Sequence, residues 1–240
     1  MLNDLARAIS QIGDRRVLRP LVLSVVAATI MLGSLIYFGF YLVDSLGLNN
    51  WNFSSSYLKF LNGALGFLID SFTVLIGISL FPAIAVSLQA FFLDDVVDAV
   101  ETKYYSHLQP CRLQRLKEII TASFRFATVA LALNLLLLGF WLLFLLIAPV
   151  LAPIPFFLVN GYLLGREYFE LIALRRVLPS ELKAIRRQHS SQNLRDGILL
   201  TFLFSVPLVN LVAPILATSY MTHRFHRVWK TDLASNQTNF

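Results

Sequence analysis

The chain has 240 residues, of which 57% are hydrophobic and only 14% charged, against roughly 25% charged in an ordinary soluble domain. That balance cannot cover a water-facing surface, so a soluble enzyme, a disordered chain and a collagen-like repeat are all excluded and an all-α integral membrane protein remains. The net charge is +6, but the basic residues sit in segments flanking apolar runs, which points to lipid headgroups and cytoplasmic loops and not to nucleic acid.

In chain order, residues 1–20 form an amphipathic, basic start with Arg7, Arg15, Arg16 and Arg19. Leu21 to Val43 is uncharged, longer than the roughly 7–15 residues of a signal-peptide core, and is expected to be the first transmembrane helix. Residues 44–70 hold one Lys and no Arg, with Asn49, Asn50, Asn52 and Ser54 to Ser56, so the positive-inside rule makes this loop external. The second span is 71–93. Residues 94–125, with Lys103, Arg112, Arg115, Lys117 and Arg125, return the chain to the cytoplasmic side, as do 175–196 and the tail 223–240.

The two remaining tracts, 126–174 and 197–222, therefore each enter and leave on one side. The first carries Pro149, Pro153 and Pro155, and the second Pro207 and Pro214 with Asn210 between them, which breaks a helix and lets the chain turn. Only ten residues separate Pro155 from the charged Arg166, about 15 Å of helix. Arms of that length reach the bilayer midplane, so the expected architecture is two transmembrane helices plus two proline-bent, half-penetrating hairpins. A full crossing stays open for the first tract, because Phe126 to Ile147 is long enough. Arg166, Glu167 and Glu170 would then lie near the midplane, with Arg166 and Glu170, one turn apart, offsetting part of the penalty.

No GxxxxGK[ST], HExxH or GxSxG motif occurs, so neither ATP coupling nor a common membrane hydrolase is supported and no enzyme, cofactor or metal site is expected. The single Cys111 cannot form an internal disulfide. His223 and His226 read as juxtamembrane basic residues. Asp94, Asp98 and Glu101 share a helical face that is solvated on the plain interpretation and a cation or proton-linked mouth on the sharper one. Gly13-Asp14-Arg15-Arg16 is either an orientation signal or an oxyanion site, where a glycine turn and paired arginines at a helix start present backbone N–H groups and forked donors.

Four stretches together resemble the CysZ-type sulfate permeases of the etoposide-induced-protein superfamily. They are Gly13 to Leu21, Phe91 to Glu101, Gly165 to Arg176 and Pro207-Leu208-Val209-Asn210-Leu211-Val212-Ala213-Pro214. The resemblance implies an ATP-independent, oligomeric inner-membrane permease supplying sulfate for cysteine synthesis, and the charge placement expects both termini on the cytoplasmic side. It places substrate binding on Gly13, Arg15 and Arg16, and we expect Arg166, Pro207 and Asn210 along the route. Two departures stand out: Asp14 replaces the family's usual apolar residue, and Phe91 to Asp98 lacks the family's Asn and carries more acid. A non-transporting scaffold that bends or thins the bilayer is the alternative.

Overall fold

The computed structural model describes residues 2–47, 56–108, 111–112 and 116–237. These residues fall into two compact units, Met1–Leu18 with Leu93–Phe240, and Arg19–Phe92. Ten α-helices are present among the described residues: α1 (Leu2–Gln11), α2 (Arg15–Ser45), α3 (Ser56–Gln89), α4 (Leu93–Tyr104), α5 (Leu116–Ile147), α6 (Pro153–Ala173), α7 (Pro179–Gln188), α8 (Ser190–Ser205), α9 (Pro207–Asn210) and α10 (Ala213–Gln237).

The unit Arg19–Phe92 is an apolar helix pair. A Cβ added at Gly77 would lie 2.6 Å from Ile36 Cγ1, and one at Gly39 would lie 2.8 Å from Thr73 Cγ2. Such small residues let two helices approach closely where lipid supplies no hydrophobic drive. Helix α3 begins at Ser56, so residues 56–70, expected as loop, are helical. The run Tyr57 to Ile69 holds only Lys59 among its charges, which is why it extends the helix. The asparagine-rich part of that expected loop lies outside the described residues.

The other unit is built around α10. Ile215 to Phe225 is buried on every side, although that stretch includes Thr218, Ser219, Thr222, His223 and Arg224. A helix enclosed all round must find partners for its polar groups within the protein. Helices α1, α4, α6 and α8 surround it. The boundary expected at residues 222 and 223 therefore falls inside a continuous buried helix.

Both proline clusters make turns. Ala148, held out of the helical region ahead of Pro149 (φ −151°, ψ 76°), ends α5, and a 3-10 turn over Pro149–Leu151 leads into α6. Val206 is extended before Pro207, and the one-turn α9 separates α8 from α10. Helix α5 is 32 residues long. Its stretch Phe124–Ile147 is, among the described residues, one of three helical segments apolar and long enough to cross a membrane, with Arg15–Ser45 and Gly63–Tyr104. In α5, Leu146 and in the following turn Val150 are more than four-fifths exposed, the surface that lipid covers.

The tightest pairing joins α6 to α8. Gly161 and Gly165, four apart on α6, face Gly197 on α8, and a Cβ at Gly165 or Gly197 would run into the opposing backbone at Asn193 or Gly161. This is close small-residue packing of the kind a GxxxG spacing produces.

Candidate oxyanion turn and the buried polar hub

Helix α1 ends at Gln11, and the chain turns through residues 12–14 into α2. Asp14 caps that start: its carbonyl accepts from Val17 N at 3.0 Å and Leu18 N at 2.8 Å, and its Oδ1 accepts from Arg16 N at 3.1 Å. Its other oxygen receives Lys103 Nζ at 2.9 Å. The Lys103 hydrogen bond, followed by that from the Arg16 backbone, holds the Asp14 carboxyl below its ordinary value. One of the N–H groups expected to face an oxyanion thus already faces a carboxylate. Arg15 and Arg16 are exposed, and neither guanidinium has a hydrogen bond or ion pair among the described residues. Gly13 leaves open space above the turn, since a Cβ there would meet nothing within 4 Å.

Gln11, at the end of α1, is buried against α10. Ser219 Oγ donates to Gln11 Oε1 at 2.5 Å, which fixes the amide so that Nε2 donates to His223 Nε2 at 2.7 Å. The ring proton of His223 then lies on Nδ1, 2.9 Å from the Tyr105 hydroxyl. This is a neutral histidine. Burial, with the Arg7 charge adding to it, lowers its pKa to about 4.

Glu101 on α4 is the neighbouring hub. Its Oε1 accepts from His226 Nε2 at 2.8 Å and Arg176 Nε at 3.2 Å, and its Oε2 from Cys111 Sγ at 3.2 Å and from Arg176 Nη2. Burial disfavours a carboxylate, and the His226, Arg176 and Cys111 hydrogen bonds compensate for it. Arg175 Nη1 reaches Asp94 Oδ1 at 2.7 Å, and its Nη2 bonds Asp98. The acidic face of α4 is therefore neither a bare solvated face nor an open cation mouth, because the Arg175–Arg176 pair that follows α6 docks on it. His223 and His226 are likewise corrected from surface charges to buried members of this network, because α10 carries them into the interior.

Arg166, expected on the route, is only 4% exposed on α6. Its Nε donates to Glu170 Oε1 at 2.9 Å, and the guanidinium lies 5.8 Å from the Phe126 ring centroid. Arg186 of α7 also bonds Glu170 Oε1, and Arg125 Nη2 lies 3.6 Å from Glu170 Oε2. Three guanidiniums thus converge on one carboxylate. Next along the fold, Asp196 accepts from Tyr220 Oη at 2.5 Å and Arg224 Nε at 2.9 Å.

Pro207 is exposed at the first position of α9, and Asn210 closes that turn with its backbone N–H bonded to Val206 O at 2.7 Å. The Asn210 Oδ1 atom is buried without a hydrogen-bond partner. Among the described residues no hydrogen bond or ion pair joins the Gly13 turn to Arg166 or to Asn210. The sequence reading passed over Gly161, Gly165 and Gly197, whose signal was the GxxxG spacing on α6, and over Gln11, Tyr105 and Glu101 as partners of the α10 histidines.

The family described as Sulfate transporter CysZ/Etoposide-induced protein 2.4 matches residues 4–214. No curated protein and no solved structure matches the chain. The matched region takes in the capped turn, both proline bends and most of the helices that enclose the buried network. The chain belongs to the Sulfate transporter CysZ/Etoposide-induced protein 2.4 family.

Proposed function

We propose that this protein is a sulfate permease, working without ATP in the inner membrane of a bacterium and feeding cysteine synthesis. The observation that carries the proposal is family membership across residues 4–214, in a chain whose paired Arg15 and Arg16 stand exposed beside an open glycine turn. Sulfate would bind at Gly13, Arg15 and Arg16 on the cytoplasmic side. The route would pass the two proline bends, with Pro207, Asn210 and Arg166 as its polar landmarks. Both termini are cytoplasmic, both hairpins enter from that side, and several copies assemble around the route.

Asp14 changes how the turn would work. A dianion arriving at Arg15 and Arg16 meets the Asp14 carboxylate, so binding requires that carboxylate to be held by Lys103 or moved aside. Supporting this division of labour, the Arg15 and Arg16 side chains are unengaged among the described residues while Asp14 and Lys103 satisfy each other. The test is uptake of labelled sulfate into proteoliposomes without nucleotide. Uptake above that of empty vesicles supports the proposal, and none, with folded protein present, removes it.

A second function, a membrane scaffold that shapes the bilayer, is supported by the enclosure of α10. The polar side chains buried along it, from Ser219 to His226, are largely satisfied by neighbouring helices, as a sealed structural core would require. Vesicle tubulation or thinning without sulfate flux would favour it.

A further inference from the structure

Glu170 is buried and receives Arg166 Nε, Arg186 Nη1 and, at 3.6 Å, Arg125 Nη2. Three permanent positive charges therefore face one carboxylate, leaving two in excess. The Arg166 Nη2 atom is buried with no acceptor, although the residue is 4% exposed. A guanidinium N–H enclosed without an acceptor among the described residues is costly, and a small shift of the exposed Arg125 side chain would let an anion satisfy it. The cluster is reachable, because the Arg125 side chain is 51% exposed and that of Arg186 is 23% exposed.

We propose that Arg125, Arg166 and Arg186 form a second site, which binds a tetrahedral oxyanion through forked guanidinium donors. Two such donors match the oxygen spacing of a sulfate or phosphate group, and three supply the charge that a dianion needs. Glu170 occupies part of the donor set, so it sets the orientation of the arginines and also limits the affinity. The chemistry is shared by free sulfate and by the phosphate of an anionic lipid headgroup. The site stands whether or not the chain carries sulfate across the bilayer.

Binding distinguishes these cases. The full chain is prepared as an Arg15→Gln/Arg16→Gln variant, so that the turn supplies no signal. Sulfate is titrated in a phosphate-free maltoside detergent, and phosphatidylglycerol retention is measured in nanodiscs against phosphatidylcholine. Replacing the half-exposed Arg125 by Gln should weaken whichever ligand binds by about tenfold, the order of one charge-assisted hydrogen bond. Glu170→Gln lowers stability, because it takes the buried counter-charge from Arg166, but in protein that stays folded it should tighten binding, whereas a purely structural ion pair would give no such gain. A sulfate response identifies free oxyanion as the ligand, and a response confined to phosphatidylglycerol identifies the headgroup. If neither ligand responds to Arg125→Gln in protein of unchanged melting temperature, the site is overturned. Loss of sulfate flux with this binding intact would instead count against the permease alone.

Discussion

Lys103 Nζ stands 2.9 Å from Asp14 Oδ2, so a residue of α4 holds the carboxylate that caps α2. The capped turn is thereby tied to the same helix that carries Glu101. In this chain the turn proposed for sulfate carries a carboxylate of its own. Asp14, visible in the sequence as a charge unfavourable to an anion, is in structural terms a helix cap with a partner.

Asp14→Asn should therefore improve sulfate binding. Asn caps nearly as well as Asp, so folding is preserved while the opposing charge is removed. Exposed charge pairs are worth about 0.2–1 kcal/mol, which corresponds to about a 1.4- to fivefold tightening. Isothermal titration in detergent measures it, and weaker binding would show that Asp14 helps to build the site.

Gly165→Leu and Gly197→Val should each destabilise the protein by about 1–3 kcal/mol or more, since the added side chain meets backbone that cannot turn aside. Gly13→Ala, which meets nothing within 4 Å, should leave the melting temperature unchanged. Thermal denaturation followed by circular dichroism separates the two outcomes.

Much of the architecture was legible in the sequence. The apolar tracts, the proline bends and the Arg166–Glu170 pair all follow from charge placement and helical spacing. The interior of α10 was not legible, for a physical reason. His223, Arg224 and His226 look like solvated cations until helices distant in sequence supply Gln11, Tyr105, Glu101 and Asp196 as partners. Hydropathy records that such residues are polar, but not that they are paired. At the turn, the sequence gives the charges of Asp14 and its arginines and leaves out Lys103, 89 residues away along the chain.

Stability should fall on mild acidification. The folded pKa of His223, about 4, lies below the ordinary 6.5, so the unfolded chain binds the extra proton first. The contribution is complete above about pH 6.5 and is lost progressively as pH falls toward about 4. The melting temperature should be lower at pH 5 than at pH 7.5, and His223→Gln should shrink that difference. An unchanged difference would place the titration elsewhere.

Glu101→Gln should be among the most damaging single changes, costing about 3–5 kcal/mol, because it removes the buried carboxylate on which Arg176 and His226 converge. Pairing it with Arg176→Met should recover part of that loss. Chemical denaturation of the single and double variants measures the coupling, and additive losses would contradict the hub.

The most direct measurement is the initial rate of labelled sulfate uptake into proteoliposomes at low sulfate, for the natural chain and for Arg15→Gln/Arg16→Gln at equal reconstitution. Uptake by the natural chain that drops by an order of magnitude or more in the variant is the predicted result. Equal rates in the two, or rates no higher than those of protein-free vesicles, would contradict the assignment of the turn to sulfate transport.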